Sequence, residues 1–439
     1  MSFPRNLQNV NDFFIWTHNF AVGRHACSYY RIEVPFSQMT EMGLAQIYED
    51  TGDGRKDSIL ALMYSDIMHQ YSLAGEGTLH RHRSIKRRNP ADHNGQIFYP
   101  PAIIYDSDDN TDFVHPFNST YAHLGTRSYP DGKLLEQGAI LQYQLPNGDM
   151  KDLWVDEETV YNGNTFSVGR NLHQMMIRHT IIKEADGATA STPALARYYR
   201  DVIGQKNTYV FPNTIVPRHY EHYNVVRKDS RIRILWQGSN SHYVDWYPLR
   251  DALKEICDKY RDKIVFVIYG EKFPWIHNII PEDMIEHHYW TLYEAYKLKR
   301  GLLNCDINLC PLVDDVFNRC KSAIKWYEAS IWEKPEATLA QKTEPYHEIE
   351  DNVNGLLFEN NAEFVEKLSL LIEDADLRKR LGANAKQWVL KNRTPDKTIP
   401  GLFEFYEETR ARQKRDLGGS LVKAATMDDL KRLEAVRPR

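Results

Sequence analysis

The sequence is poor in cysteine, in long apolar runs and in excess charge of one sign. Its 439 residues include five cysteines with no Cys-x-x-Cys pair, which argues against a disulfide framework or a zinc ribbon. The longest apolar stretches, such as residues 264–269, are far shorter than the roughly 18 residues needed to span a bilayer. The first ten residues lack the apolar core of a secretory signal. We therefore expect a cytoplasmic protein with reduced thiols and no transmembrane segment.

The charge balance is slightly acidic, with 55 Lys and Arg against 60 Asp and Glu and a net charge of -5. This excludes a protein that coats nucleic acid over its whole surface, so any polyanionic partner must be met by a local patch. Hydrophobic residues make up 42% and charged residues 26%, which is ordinary for a folded globular chain. The length predicts two domains.

Short apolar segments alternate with helical patterns along the chain, which predicts an α/β protein. In the first half we predict strands at residues 12–16, 102–105, 188–191 and 208–211, and in the second half at 232–236, 264–269 and 306–310. Residues 212–231 lack periodicity and mark a boundary. We predict domains at 1–220 and 228–395, then a helix and charged tail at 396–439. A cleft between the carboxyl edges of the two sheets would hold the ligand.

The densest group of functional candidates follows the strand at 306–310. Lys321, Ser322, Lys325 and Glu328 fall at the start of a helix predicted over 322–331. Two cations and free backbone N–H groups suit a diphosphate, and a carboxylate suits sugar hydroxyls, so the pattern favours a nucleotide-sugar donor. A surface helix whose lysines pair with its glutamate would show the same spacing.

Two loops of the predicted cleft admit more than one interpretation. Gly238 and Ser239, after the strand at 232–236, form either a phosphate-approach loop or a plain turn. Asp106, Asp108 and Asn110 resemble both an Asp-x-Asp metal site and the first ligands of a calcium loop. Both patterns fail on context. Residues 111 and 117 are threonine and phenylalanine where the calcium loop needs glycine and glutamate, and the donor candidates lie in the other half of the chain. A strand-end turn with solvated carboxylates is the alternative.

The segment 81–88 is the most one-sided charge run. Five of its eight residues are cationic, namely Arg81, Arg83, Lys86, Arg87 and Arg88. Such a patch favours an anionic acceptor, either nucleic acid, a phosphorylated glycan or an anionic membrane surface. A solvated loop is the competing interpretation.

Several ordered motifs resemble one family. They are Cys305-Asp306-Ile307-Asn308-Leu309-Cys310-Pro311-Leu312, Phe317-Asn318, Lys321-Ser322 with Lys325 and Glu328, Pro335, Tyr346, Asn354-Gly355-Leu356-Leu357-Phe358 and Leu377-Arg378-Lys379-Arg380-Leu381-Gly382. This run resembles the donor domain of family-4 glycosyltransferases of the GT-B fold, in bacterial or bacteriophage form. Gly238-Ser239 with His242 and Asp245 is similar to the domain's first loop. The acceptor domain of the family has counterparts in the first half. Its opening segment is similar to Tyr29-Tyr30-Arg31 with Pro35, and its closing segment is similar to residues 190–195 with 210–213.

The resemblance implies a GT-B enzyme with two Rossmann-like domains facing each other across a cleft. The first would bind the acceptor and the second the nucleoside-diphosphate sugar, with no metal or other cofactor. By position, Glu328 would bind the ribose, while Lys321, Ser322 and Lys325 would bind the diphosphate and neighbouring sugar. Gly23 would approach the donor from the first domain. The sequence departs from the family at Cys320, where a second glutamate is frequent, and at Glu333, where glycine is usual.

The implied reaction is transfer of a hexosyl or pentosyl group to a hydroxyl, with retention. The candidate acceptor-binding residues are Asp108, Asp109, Arg83, Lys86 and Arg87, and no catalytic base is assigned. The acceptor is expected to be anionic, such as hydroxymethylated pyrimidine in phage DNA, with surface polysaccharide or lipopolysaccharide as the alternative. A sugar-nucleotide epimerase or an inactive binding module is the alternative of another class.

Overall fold

The computed structural model describes residues 13–18, 26–50, 65–72, 75–88, 91–93, 96–114, 118, 120–126, 142–144, 150–152, 159–160, 164–220, 227 and 229–424. In these ranges the chain forms two six-stranded sheets and three short hairpins. Neighbouring strands of both large sheets run parallel, so each connection crosses over and helices cover the sheets. None of the helices in these ranges combines the length and apolarity needed to cross a bilayer.

The first sheet belongs to the first half of the chain. Its strands are β1 (Phe14–His18), β2 (Gln46–Asp50), β3 (Ile67–Tyr71), β4 (Ala102–Ser107), β5 (Gly187–Ala190) and β6 (Thr208–Val210). Their order is β6-β5-β4-β3-β1-β2. The central strand β4 is buried at every position, which explains its continuous apolar run before Asp106.

The second sheet belongs to the second half. Its strands are β7 (Ile232–Gly238), β8 (Ile264–Gly270), β9 (Ile285–His288), β10 (Ile307–Cys310), β11 (Ala337–Gln341) and β12 (Leu356–Phe358). Their order, β9-β8-β7-β10-β11-β12, is that of a doubly wound nucleotide-binding sheet. Strands β7 to β9 are added toward one edge of the sheet and β10 to β12 toward the other, so the strand order reverses between β7 and β10. Ligands of such sheets bind outside the carboxyl ends at this point.

Helices pack on both sheets. The principal ones are α1 (Val34–Glu41), α2 (Glu76–Lys86), α3 (Val168–Glu184), α4 (Pro193–Tyr198), α5 (Arg250–Tyr260), α6 (Tyr293–Leu303), α7 (Val316–Arg319), α8 (Ile324–Ile331), α9 (Asn361–Glu373), α10 (Ala375–Asn392) and α11 (Pro395–Ala424). Shorter helical segments are Ala26–Ser28, the π-helical turn Tyr29–Glu33, Tyr121–Leu124, the π-helical turn Tyr199–Ile203 and Tyr243–Trp246. The hairpins pair Ala91–His93 with Gln96–Phe98, Gln142–Gln144 with Met150–Asp152, and Thr159–Val160 with Asn164–Thr165.

The last helix returns to the first half of the protein. Residues Ile399, Leu402 and Phe405 of α11 join a buried cluster with Ile15 and Ile104 of the first sheet. The chain therefore crosses between the halves twice, once after β6 and once before α11.

The predicted α/β architecture with two sheets is confirmed, and each predicted strand is present with its ends displaced by at most two residues. One helix start was wrong. The helix predicted from Ser322 begins at Ile324, because the chain turns at Lys321–Ala323 after the separate helix α7. The helix predicted within 396–439 is present and spans Pro395–Ala424. The domain limits remain a prediction.

Candidate functional site

A cavity of about 600 Å³ lies between the two sheets, outside the carboxyl ends of β7 and β10. Its volume is within the range of small-molecule sites. Both halves contribute to its wall. Eight of the twelve predicted donor- and acceptor-binding residues line it: Asp108, Asp109, Gly238, Ser239, Lys321, Ser322, Lys325 and Glu328. Gly23 lies outside the described residues. The sequence-predicted donor residues are therefore brought together, even though the helix start predicted for Lys321 and Ser322 was wrong.

Lys321 and Ser322 lie on the turn between α7 and α8. Nζ of Lys321 lies 3.5 Å from Oδ1 of Asp109, so a cation of the second half faces a carboxylate of the first. Burial alone would lower the pKa of Lys321, but Asp109 and Asp245 outweigh it and raise the pKa above its ordinary value. The Asn213 side chain donates to Oγ of Ser322 at 2.9 Å, which leaves the Ser322 hydroxyl proton free to donate to a ligand.

Lys325 lies in the first turn of α8 and faces the cavity. Its Nζ atom is 3.1 Å from Nε2 of His242, and Nδ1 of His242 is 2.7 Å from Oδ2 of Asp245. Burial, opposed by neighbouring acidic groups and reinforced by Lys321, lowers the pKa of Lys325 to about 8. This lysine is therefore still mostly protonated at neutral pH, in a position to meet an anion.

Glu328 lies one turn further along α8, and its carboxylate is buried among tyrosine hydroxyl groups. The hydroxyl of Tyr30 donates to Oε1 at 2.5 Å, and that of Tyr296 donates to Oε2 at 2.8 Å. The hydroxyl of Tyr293 lies 3.2 Å from Oε1. Burial first and the Glu328 charge second raise the pKa of Tyr30 and Tyr296 well above the ordinary value, so both remain donors. Tyr30 comes from the first half, so this cluster joins the two halves.

The loop after β7 approaches the cavity without side-chain bulk. A Cβ atom on Gly238 would lie 2.9 Å from Cδ2 of His242, and one on Gly270 would lie 2.5 Å from the Gly238 carbonyl oxygen. Gly270 has a φ of +113°, a conformation that favours glycine. Ser239 forms a 2.6 Å hydrogen bond with Ser241 at the cavity wall. Two glycines at adjacent strand ends thus let the backbone and the His242 ring pack closely.

Asp108 and Asp109 line the side of the cavity formed by the first sheet. The Tyr71 hydroxyl donates to Oδ1 of Asp108 at 2.8 Å. Burial, and next the negative charge of Asp109, raise the pKa of Asp108, while a hydrogen bond from Cys27 opposes the shift. Asp109 faces Lys321, as described above. This carboxylate pair therefore lies directly opposite the cations of α8 and the preceding turn.

Asp106 has a structural role. The Arg31 guanidinium forms a bidentate ion pair with it, at 2.9 Å from Nε and 2.5 Å from an Nη atom, and the Thr189 hydroxyl donates at 2.5 Å. Arg31 and Asp106 are each about 1% exposed. With its oxygens occupied by these partners, Asp106 does not join Asp108 at the cavity. The rejection of an Asp-x-Asp metal site on sequence context agrees with this geometry.

The basic segment lies at the opposite end of the first sheet from the cavity. Arg83 forms a bidentate ion pair with Glu184 at the end of α3, and Lys86 pairs with Asp186 at 2.9 Å. Asp186 precedes β5, at the amino edge of the sheet. Arg87 is exposed just beyond α2. The structure therefore does not bring these cations to the donor residues, and two of them already have acidic partners.

Cys320, where the family often has glutamate, does not line the cavity. Its side chain is buried in the cluster of the first sheet, and its carbonyl oxygen accepts a hydrogen bond from the Thr192 hydroxyl at 2.9 Å. The side-chain amide of Asn110 lies 3.7 Å from Sγ. This position therefore serves contact between the halves rather than the ligand.

Sequence reasoning missed part of the cavity wall. The additional lining residues include Cys27, Gln237, Tyr269, Trp290, Thr291, Tyr293 and Tyr296. Tyr29 and Tyr30 were noted only as a family-like motif. The spacing of Tyr293 and Tyr296, one helical turn apart at the start of α6, was the available signal, but tyrosines at helical spacing are more commonly core residues.

Comparison with known proteins places these observations in context. Residues 234–388 match the family model described as glycosyl transferases group 1. A search of curated protein sequences gives no match. Among solved structures, HepE of Anabaena, in complex with UDP and glucose, aligns with a TM-score of 0.56 at 10% identity, covering 90% of this chain and 100% of HepE.

Two further structures align at similar levels. Sucrose-phosphate synthase of Thermosynechococcus elongatus has a TM-score of 0.53 at 8% identity, covering 91% of this chain and 100% of its own. A glycosyltransferase of Rickettsia africae has a TM-score of 0.53 at 11% identity, covering 91% and 99%. The GT-B fold predicted from the motifs is thus confirmed. The family model and these neighbours together support a glycosyltransferase, whereas the narrower assignment to family 4 remains a prediction.

Proposed function

We propose that the protein transfers a sugar from a nucleoside-diphosphate sugar to a hydroxyl group of an acceptor bound by the first half. The observation that carries this proposal is the convergence of Lys321, Lys325, Ser322 and Glu328 on one cavity at the switch point of the second sheet. The match to glycosyl transferases group 1 spans these residues. In this assignment the two lysines and Ser322 bind the diphosphate, and Glu328 binds the ribose.

The chemical demand of the reaction is stabilisation of the negative charge that develops on the departing diphosphate. Lys321 and Lys325 supply positive charge, Ser322 supplies a hydroxyl donor, and the N-terminus of α8 presents backbone N–H groups to the same wall. These groups are fixed before the reaction, so little reorganisation is needed. We propose that they suffice without a metal ion. Activity that is lost with a chelator and restored by magnesium or manganese would contradict this.

The acceptor hydroxyl would enter beside Asp108 and Asp109. Their position opposite the two lysines supports contact with the acceptor or with the transferred sugar. Retention of the anomeric configuration follows from the family resemblance alone and is part of the proposal. The configuration of the product, read from the anomeric proton coupling by NMR, tests it directly.

An anionic acceptor such as hydroxymethylated DNA remains the proposal for acceptor class, with surface polysaccharide or lipopolysaccharide as the alternative. Its support is the basic segment 81–88, and the ion pairs of Arg83 and Lys86 weaken that support. If DNA binds there, a plot of the logarithm of affinity against the logarithm of salt concentration has a slope of roughly -0.9 per phosphate contact. Replacing Arg83, Lys86 and Arg87 by alanine should flatten the slope. A slope equal in both proteins would assign the segment to the solvated surface.

The deciding experiment measures nucleotide release. HepE was solved with UDP and glucose, so UDP-glucose is the first donor to test, followed by other UDP-, GDP- and ADP-sugars. Release of free nucleoside diphosphate only in the presence of acceptor supports a transferase. Interconversion of sugars without acceptor would favour an epimerase, and binding without turnover on any acceptor would favour an inactive binding module. The expected cytoplasmic location rests on the sequence and remains a proposal.

A further inference from the structure

Three side chains form a hydrogen-bonded chain from the loop after β7 to the helix α8. Nδ1 of His242 lies 2.7 Å from Oδ2 of Asp245, and Nε2 of His242 lies 3.1 Å from Nζ of Lys325. Asp245 is 1% exposed and His242 is 9% exposed. Because one imidazole ring makes both contacts, its tautomer decides which ring nitrogen donates a hydrogen bond and which accepts one.

The partners determine that tautomer. The other carboxylate oxygen of Asp245 accepts from the backbone N–H of Val313 at 3.0 Å and from the Asn318 side chain at 2.7 Å. Both oxygens of Asp245 thus act as acceptors, so Nδ1 of His242 must carry the proton. The Lys325 ammonium can only donate, so Nε2 must be bare. Burial, together with the Lys325 charge, lowers the pKa of His242 to about 4, in agreement with a neutral ring.

The ring is also held sterically. A Cβ atom at position 238 would lie 2.9 Å from Cδ2 of His242, so the ring packs directly on Gly238. Asp245 in turn connects this loop to Val313, which precedes α7, and to Asn318, which lies in α7. The imidazole is thereby fixed between the two loops that flank the switch point of the second sheet.

The consequence concerns the direction of the Lys325 ammonium. Among the described residues, His242 Nε2 is the one hydrogen-bond acceptor found for Nζ of Lys325. An ammonium group has three N–H donors. One is directed to the imidazole, and the other two are left for oxygen atoms in the cavity that Lys325 lines. A lysine side chain has four rotatable bonds, so an anchor of this kind reduces the entropy lost on binding an anion.

We propose that His242 is a positioning residue, which uses its bare Nε2 to hold the Lys325 ammonium toward the diphosphate of the donor, while Asp245 fixes the tautomer. The inference rests on the proposed function, in which Lys325 binds the diphosphate. It adds a role for two residues that the family resemblance marks only as part of a loop.

The first test needs no ligand. Protein labelled with ¹⁵N in histidine is examined at pH 7 by long-range ¹H–¹⁵N correlation, and the His242 signals are assigned by their loss in His242→Gln. The expected result is a neutral ring with the proton on Nδ1. An imidazolium, or a neutral ring with the proton on Nε2, would overturn the proposal, because neither offers Lys325 an acceptor.

The second test is a double-mutant cycle with UDP, read by calorimetry. His242→Ala should weaken UDP binding about tenfold, as expected for loss of a hydrogen bond to a charged group. In the background of Lys325→Ala the same change should cost less than twofold, because His242 acts through Lys325. His242→Gln, which keeps an acceptor at a similar distance, should recover most of the affinity. His277→Ala, at an exposed histidine of the same half that pairs with Glu282, serves as the matched control.

The outcomes separate the proposals. An equal loss from His242→Ala in both backgrounds would mean that His242 only supports the loop, and would overturn the positioning role. Failure of the wild-type protein to bind any of UDP, GDP and ADP would overturn the proposed function and the diphosphate role with it. The tautomer measurement would then still decide whether His242 holds Lys325.

Discussion

Nucleotide affinity should depend on pH through Lys325. Burial is the largest cause that lowers its pKa, and Lys321 adds to it, which brings the value to about 8 in the ligand-free protein. Only the ammonium form attracts the diphosphate, so affinity is close to full at pH 7 and falls as the pH rises through about 8. Between pH 7 and pH 9 the protonated fraction drops about tenfold, which corresponds to a loss of about 1.4 kcal/mol in binding free energy.

The assay is calorimetric titration of UDP at half-unit intervals from pH 7 to pH 9.5. Lys325→Arg is the matched control, because a guanidinium keeps its charge throughout this range and should give a flat profile. Lys321 should not contribute to the decline, since its pKa is raised by Asp109 and Asp245 against the effect of burial. A wild-type dissociation constant that varies less than twofold over the range would refute the reasoning. So would an equal decline in Lys325→Arg.

Three further predictions concern the ribose carboxylate, the acceptor side and acid stability. Glu328→Gln should weaken UDP binding at least tenfold with the fold retained by circular dichroism, and unchanged affinity by calorimetry would contradict the ribose role. Asp108→Asn should lower kcat at least tenfold with UDP affinity within twofold, and initial-rate measurements showing an unchanged kcat would remove Asp108 from the acceptor site. Burial lowers the pKa of His82 to about 4, whereas an unfolded histidine titrates near 6.5, so the protein should lose stability as the pH falls from 6.5 to 4. His82→Leu should reduce the dependence of the unfolding free energy on pH by up to about 1.4 kcal/mol per pH unit, measured by urea titrations at several pH values. An unchanged pH dependence would contradict the role of His82.

The fold was largely predictable because its strongest signals are local. Buried parallel strands such as β4 and β8 are continuous apolar runs that end in glycine or acidic residues, and the carboxyl ends of such strands share one edge. Five strands were not predicted. Strands β2, β9 and β12 lie at sheet edges and are short or partly polar, and the interior strands β3 and β11 have polar residues among their apolar ones. Their sequences carry little of this signal, so they were found only in the structure.

The convergence of the proposed donor residues was predictable for a similar reason, since Lys321, Lys325 and Glu328 lie within eight residues of one another. Their spacing suggested a shared site even though the helix start was placed two residues early. The acceptor side was harder. Arg83 and Lys86 formed a conspicuous basic run, but their partners Glu184 and Asp186 are about a hundred residues away in sequence. A charge run therefore reveals the presence of cations without revealing whether they are already neutralised.

The contact between Tyr30 and Glu328 shows the limit of local reasoning most clearly. The two residues are 298 positions apart, yet their side chains meet at 2.5 Å across the cleft. Tyr30 lies on the π-helical turn Tyr29–Glu33, whose wider winding changes which side chains face the second sheet. No spacing rule for an α-helix places that hydroxyl on Glu328. The same carboxylate is the proposed partner of the ribose, so the residue that would bind the donor also joins the two halves through Tyr30.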